Sequence, residues 1–134
     1  MNYLLDTHII LWSLFEPGKI SPSVRLVLEN ETDSKFISGV NLWEISLKYS
    51  LGKLELGGTN PAELYDTLLE AGFEVADIDN RLFATYFQLP KKDDHKDPFD
   101  RLLIWQAISN GYTLIIQDNK VEQYRADGLQ LMLG

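Results

Sequence analysis

The chain has 134 residues, a formal net charge of −8, no cysteine and two histidines. That length suits one domain, residues 1–134, closing its own apolar core, and the lack of thiols excludes disulfide scaffolds and cysteine zinc sites. The acidic balance excludes a protein that grips nucleic acid through a broad basic surface, but carboxylates gathered around divalent cations leave a nucleic-acid enzyme open.

Helix and strand signals alternate along the chain, without internal repeats. "NYLL" (2–5) reads as a buried strand and "HIILWSLF" (8–15) as a short helix that ends before Pro17-Gly18. Ser21 as N-cap and Pro22 in the first turn open a helix over 21–30. "KFIS" (35–38) is a second strand, and "GVNLWEISLKYS" is helical up to Gly52. Asn60, Pro61 and Glu63 form an N-cap, first-turn proline and capping-box acid for a helix running to Gly72. "FEVADI" (73–78) is a strand, "NRLFATYFQL" (80–89) a helix, and 97–111 a helix stopped by Gly111. "YTLIIQ" (112–117) and "LQLML" (129–133) complete the strands. Strands separated by helices predict an α/β fold with a mainly parallel sheet covered on both faces. No apolar run reaches the roughly 20 residues of a membrane span, and the N-terminus has no basic leader, so a cytoplasmic protein is expected.

In such sheets ligands bind beyond the carboxyl ends of the strands. Asp6 follows the first strand and Asp118 follows "YTLIIQ", so both are expected on that edge; alternatively, Asp6 caps the next helix and Asp118 opens a turn with Asn119. Glu44 shares a helical face with Val40, Leu47 and Leu51, where a carboxylate needs a cation, a donor network or a pocket. A surface pair with Lys48 is the plainer reading. Asp97 before Pro98 is a helix cap, whereas Asp100 heads the face of Leu103, Ile104, Ala107 and Ile108, which makes it the better ligand. Acids from four distant segments describe an oxygen-only site suited to Mg²⁺ or Mn²⁺. His8 in its apolar run reads as structural and His95 in its charged loop as exposed. No G-x-S-x-G, P-loop or G-x-G-x-x-G motif is present. The three tryptophans, at helical spacings, read as core or interface.

"LLDTHIILW" (4–12), "SGVNLWEISLKYSLGKL" (38–54), "HKDPFDRLLIWQA" (95–107) and "YTLIIQD" (112–118), in this order, resemble the PIN-domain family, and within it the VapC-type toxins of prokaryotic toxin–antitoxin pairs. The resemblance implies a three-layer α/β/α sandwich and a metal-dependent endoribonuclease. Its four acids fall on Asp6, Glu44, Asp100 and Asp118, with Thr7 and Asp97 as accessories. It further implies an RNA substrate, an antitoxin partner and a homodimer, for which the helices containing "IILWSLF" and "LYDTLLEAG" offer contact surfaces. Lys48, Lys96, Arg101 and Lys120 adjoin the acids as candidate phosphate contacts. The chain departs from the pattern at Ile116, where relatives often carry threonine. Another Mg²⁺-dependent phosphohydrolase and a non-catalytic binding module with the same fold are the competing readings.

Overall fold

The computed structural model describes residues 1–134. Five strands, β1 (Asn2–Leu5), β2 (Ser34–Ser38), β3 (Glu74–Ala76), β4 (Thr113–Ile116) and β5 (Gln130–Leu133), form one sheet in the order β3-β2-β1-β4-β5. Every pairing is parallel, with Leu4 against Phe36 on one side and Leu114 on the other. The helices are α1 (Thr7–Phe15), α2 (Pro22–Glu29), α3 (Gly39–Ser50), α4 (Pro61–Glu70), α5 (Asn80–Thr85) and α6 (Pro98–Asn110).

Because strand side chains alternate, the sheet feeds two cores. Tyr3, Leu5, Ile37 and Ile115 pack with Ile9 and Ile10 of α1, Val24 of α2 and Leu64 and Leu68 of α4. Leu4, Leu114, Ile116 and Leu131 pack with Leu103, Ile104 and Ala107 of α6 and with Val121 and Tyr124. Helices therefore cover both faces, giving the expected three layers. Side chains cap α2, α4 and α6 at Ser21, Asn60 and Asp97. Gly111, at φ 76°, ends α6 in the left-handed region that disfavours any side chain.

Two local expectations change, over 80–89 and on the face of α3, and the segment 119–127 takes up structure that no expectation covered. The segment 80–89 is helical only to Thr85 and tightens to a 3₁₀ turn over Tyr86–Gln88. Residues Asn119–Asp127, which lack an apolar helical stripe, form 3₁₀ structure that buries only Val121 and Tyr124, three apart as 3₁₀ geometry requires. The buried stripe of α3 is Val40, Asn41, Glu44 and Ile45, while Leu47 and Leu51 are exposed. The stripe is turned one residue from the expected face because Val40 joins one core and Ile45 the other.

β1 is central: the chain builds β2 and β3 to one side, then crosses to β4 and β5 on the other. The strand order reverses at β1, so the carboxyl ends of β1 and β4 flank the switch point, the crevice where open parallel sheets bind ligands.

Candidate active site

Asp6 leaves β1 at this crevice and is 3% exposed. Its backbone N–H donates to Ile115 O (3.0 Å), continuing the β1–β4 ladder, and its Oδ1 accepts from Ile9 N (2.8 Å). It thus caps α1 while standing in the crevice. Asp118, two residues beyond β4, accepts from Lys120 N (3.0 Å) and is half-buried.

Glu44 reaches the same edge from α3 and is 4% exposed. Thr7 Oγ1 donates to its Oε1 (2.6 Å), Asn41 Nδ2 donates to Thr7 Oγ1 (3.2 Å), and Lys48 Nζ pairs with Oε2. Glu44 is therefore paired with Lys48, but as a buried acid within a donor network and not as the surface pair of the plainer reading. Asn41 also accepts from Ser38 N, so the capping box of α3 and the support of Glu44 are one network.

Asp97 Oδ1 accepts from Phe99 N (2.9 Å) and Asp100 N (3.2 Å), which makes it the cap of α6. Its exposed carboxylate sits beside Asp100 in the first turn.

The electrostatics record how closely these acids converge. Burial pushes Asp6 up to about 7; the Ile9 N–H opposes the rise, and Asp100 and Glu44 add repulsion. Burial likewise raises Asp100 to about 7, reinforced by Asp97, Glu44 and Asp118 and opposed by Lys48. Lys48 is held above its usual range: burial would lower it, but Glu44, Asp97 and Asp100 outweigh that cost. Two carboxyls that resist ionisation beside further acids are a site short of positive charge.

Two histidine expectations are corrected. His8 is exposed against Trp12, with ring centroids 5.8 Å apart. His95 is 4% exposed, because Tyr124 from the distant 3₁₀ segment closes over its loop. Its Nε2 lies 3.6 Å from Asp100 Oδ2 and 4.0 Å from Asp118 Oδ2. One ligand atom from each of His95, Asp100 and Asp118 lies within 4.8 Å of the others. The sequence signal for His95 is weak, since nothing in "KKDDHK" implies burial.

Arg101 is also corrected. It is buried, donating from Nε to Tyr86 Oη, from Nη1 to Pro90 O and Tyr124 Oη, and from Nη2 to Leu89 O. Four of its five N–H groups are thus taken up by Tyr86, Leu89, Pro90 and Tyr124, so Arg101 is a buried, hydrogen-bonded cation and not an exposed one. Lys96 and Lys120 are exposed and Lys48 half-buried. Ile116 lies in the apolar core beneath the site, where no polar contact replaces a threonine. Trp43 is exposed against Phe99, at 5.0 Å between centroids, so it is not core.

The donor set fits a hard divalent cation: carboxylate oxygens on one edge, two of them held back from ionisation, with a buried imidazole beside them.

Comparison with known proteins agrees with this geometry. Residues 3–128 match the family model described as "PIN domain". Over 122 residues, 91% of each chain, the sequence is 25% identical to ribonuclease VapC22 of Mycobacterium tuberculosis (strain ATCC 25618 / H37Rv). The fold is similar to a chain in the crystal structure of VapBC2 from Rickettsia felis bound to a DNA fragment from their promoter, with TM-score 0.72, 22% identity, and 99% and 98% of the two chains covered. VapBC-1 from nontypeable Haemophilus influenzae gives 0.66 and 23%, again over 99% and 98%. With sheet order, crevice and acids in place, and with the family model spanning nearly the whole chain, the protein belongs to the PIN-domain family.

Proposed function

We propose that the chain is a divalent-metal-dependent endoribonuclease, the toxin of a toxin–antitoxin pair, acting on cytoplasmic RNA. The observation that carries this reading is the meeting of Asp6, Glu44, Asp100 and Asp118 at the β1/β4 crevice, with Asp6 and Asp100 both raised to about 7. The similarity to a protein named a ribonuclease supports it.

Asp6 and Asp100, with Asp118 beside them, would hold Mg²⁺ or Mn²⁺; Glu44 completes the negative wall. A bound cation supplies charge neutralisation for the phosphodiester and activation of the attacking water. The chain's own residues orient the carboxylates through Thr7, Asn41 and the cap of α1. Lys48, Lys96 and Lys120 contact flanking phosphates, so a small set of cations offsets the net charge of −8 locally. Hydrolysis leaves a 5′-phosphate. The similarity to chains from VapBC crystal structures supports a small antitoxin as partner, and a homodimer is the expected assembly.

The test is cleavage of a panel of tRNA, rRNA and single-stranded RNA by antitoxin-free protein in Mg²⁺ or Mn²⁺ against EDTA, with Asp6→Asn and Asp100→Asn alongside. Metal-dependent cutting, reduced at least about 100-fold in both variants, is expected for loss of a charge-stabilising group. Folded protein that cuts nothing in either metal would point to a binding module, and turnover of phosphomonoesters alone would point to a phosphatase.

A further inference from the structure

His95 is the buried polar group the site leaves unexplained. Its Nε2 has no hydrogen-bond partner in the protein and is aimed at Asp100 and Asp118, beyond hydrogen-bond distance but within reach of a small side-chain shift. The four acids are also unequally held. Glu44 is fixed by Thr7 and Lys48, Asp6 by Ile9 N and Asp118 by Lys120 N, but Asp100 accepts no hydrogen bond from the protein.

The other face of the imidazole decides what Nε2 can offer. Nδ1 lies 3.0 Å from Tyr124 Oη, and Tyr124 Oη lies 2.8 Å from Arg101 Nη1. A guanidinium only donates, so the Arg101 bond uses the phenol oxygen as acceptor. Tyr124 is fully buried and has one proton, for which Nδ1 is the single acceptor in reach. That proton therefore points at Nδ1, which must be bare, and the neutral ring carries its own proton on Nε2. The opposite tautomer would leave the Tyr124 proton buried without an acceptor and, where Asp100 and Asp118 are both ionised, set the Nε2 lone pair against two carboxylates.

We infer that His95 is a positioning residue of the acidic site, locked by the Arg101–Tyr124 relay as an Nε2–H donor that orients Asp100 and Asp118. Although His95, Asp100 and Asp118 are spaced like a three-ligand site, ligation through Nε2 would need the proton on Nδ1, so the metal set stays oxygen-only. Only the consequence for metal binding rests on the nuclease reading; the tautomer does not.

Long-range ¹H–¹⁵N NMR on the metal-free wild type at pH 8 reads the tautomer directly. A protonated Nε2 and bare Nδ1 are expected, and Tyr124→Phe should abolish that preference. A proton on Nδ1 in the wild type overturns the proposal. Binding of Mn²⁺ and Mg²⁺ alone then reads the consequence. His95→Leu should weaken both ions alike, about 10-fold as for loss of an outer-shell partner, while His95→Gln, which keeps an N–H near the Nε2 position, should largely restore them. Selective loss of Mn²⁺ over Mg²⁺ would make His95 a ligand, and unchanged affinity in His95→Leu would remove its role; either result overturns the inference. If the leucine variant does not fold, the wild-type tautomer and the glutamine variant still decide. Absence of RNA cleavage would count against the nuclease reading while leaving these measurements standing.

Discussion

Glu44 has both carboxylate oxygens engaged, whereas Asp100 accepts no hydrogen bond from the protein and rises to about 7, so the two acids should respond differently to change. Asp6 and Asp100 hold their protons to about pH 7 in the fold, against about 4 in an unfolded chain. Between these values the native state binds more protons than the unfolded one, so metal-free stability falls as pH rises from about 4 to about 7, then levels off. Chemical denaturation in EDTA at pH 4.5, 6 and 8 checks this; a rise over that interval would contradict the shifts. Asp100→Asn removes one of the two strained charges and should stabilise the metal-free protein at pH 8 by on the order of 1 kcal/mol, discounted for partial exposure, with the gain vanishing near pH 4. Thr7→Val removes the donor to Glu44 Oε1. Mn²⁺ affinity measured calorimetrically should fall about 10-fold, and Thr7→Ser should restore it.

At the scale of elements, α6 carries two separable functions in its first turn. Asp97 caps the helix through Phe99 N and Asp100 N, while Asp100 faces the crevice. Asp97→Ala should lower stability by about 1 kcal/mol in thermal or urea unfolding, with Mn²⁺ binding close to wild type. An Asp97→Ala variant that unfolds like wild type but loses the metal would make Asp97 a ligand. Most elements were legible because their signals are local: the caps Ser21, Asn60 and Asp97, the stop at Gly111 and the short apolar runs of β1, β2 and β4. The segment 119–127 was not, since its polar sequence reaches the core only through Val121 and Tyr124. The face of α3 was misjudged at Leu47 and Leu51 because a helix at the sheet edge divides its contacts between two cores, a division that periodicity does not encode.

For the whole molecule, a net charge of −8 opposes any polyanion, so under the proposed function RNA would be held by a few local cations and a bound metal. With Lys48, Lys96 and Lys120 as the phosphate contacts, log K for a single strand should fall with log salt at a slope of about −2, taking roughly 0.7 per neutralised phosphate. Titration of a labelled, uncleavable RNA across 50–300 mM salt in Mg²⁺ would give that slope. A much steeper one would mean a larger basic surface than three lysines. Trp43 of α3 and Phe87 of the 3₁₀ turn after α5 are more exposed than Phe15 and Leu69 of α1 and α4, the helices expected as contact surfaces.

The sequence alone determined what depends on neighbours along the chain: the alternation of strands and helices, the caps, and the placement of Asp6 and Asp118 after strands, Asp100 in a first helical turn and Glu44 within a helix. The tertiary structure alone decided what depends on distant segments meeting. His95 lies in a charged loop and Arg101 beside an acid in the first turn of α6, surroundings that imply exposure, yet both are buried and bonded to Tyr124, 29 and 23 residues away. Burial and hydrogen-bond partners across such distances follow from which elements the sheet order brings together, and no local pattern of residues carries that information.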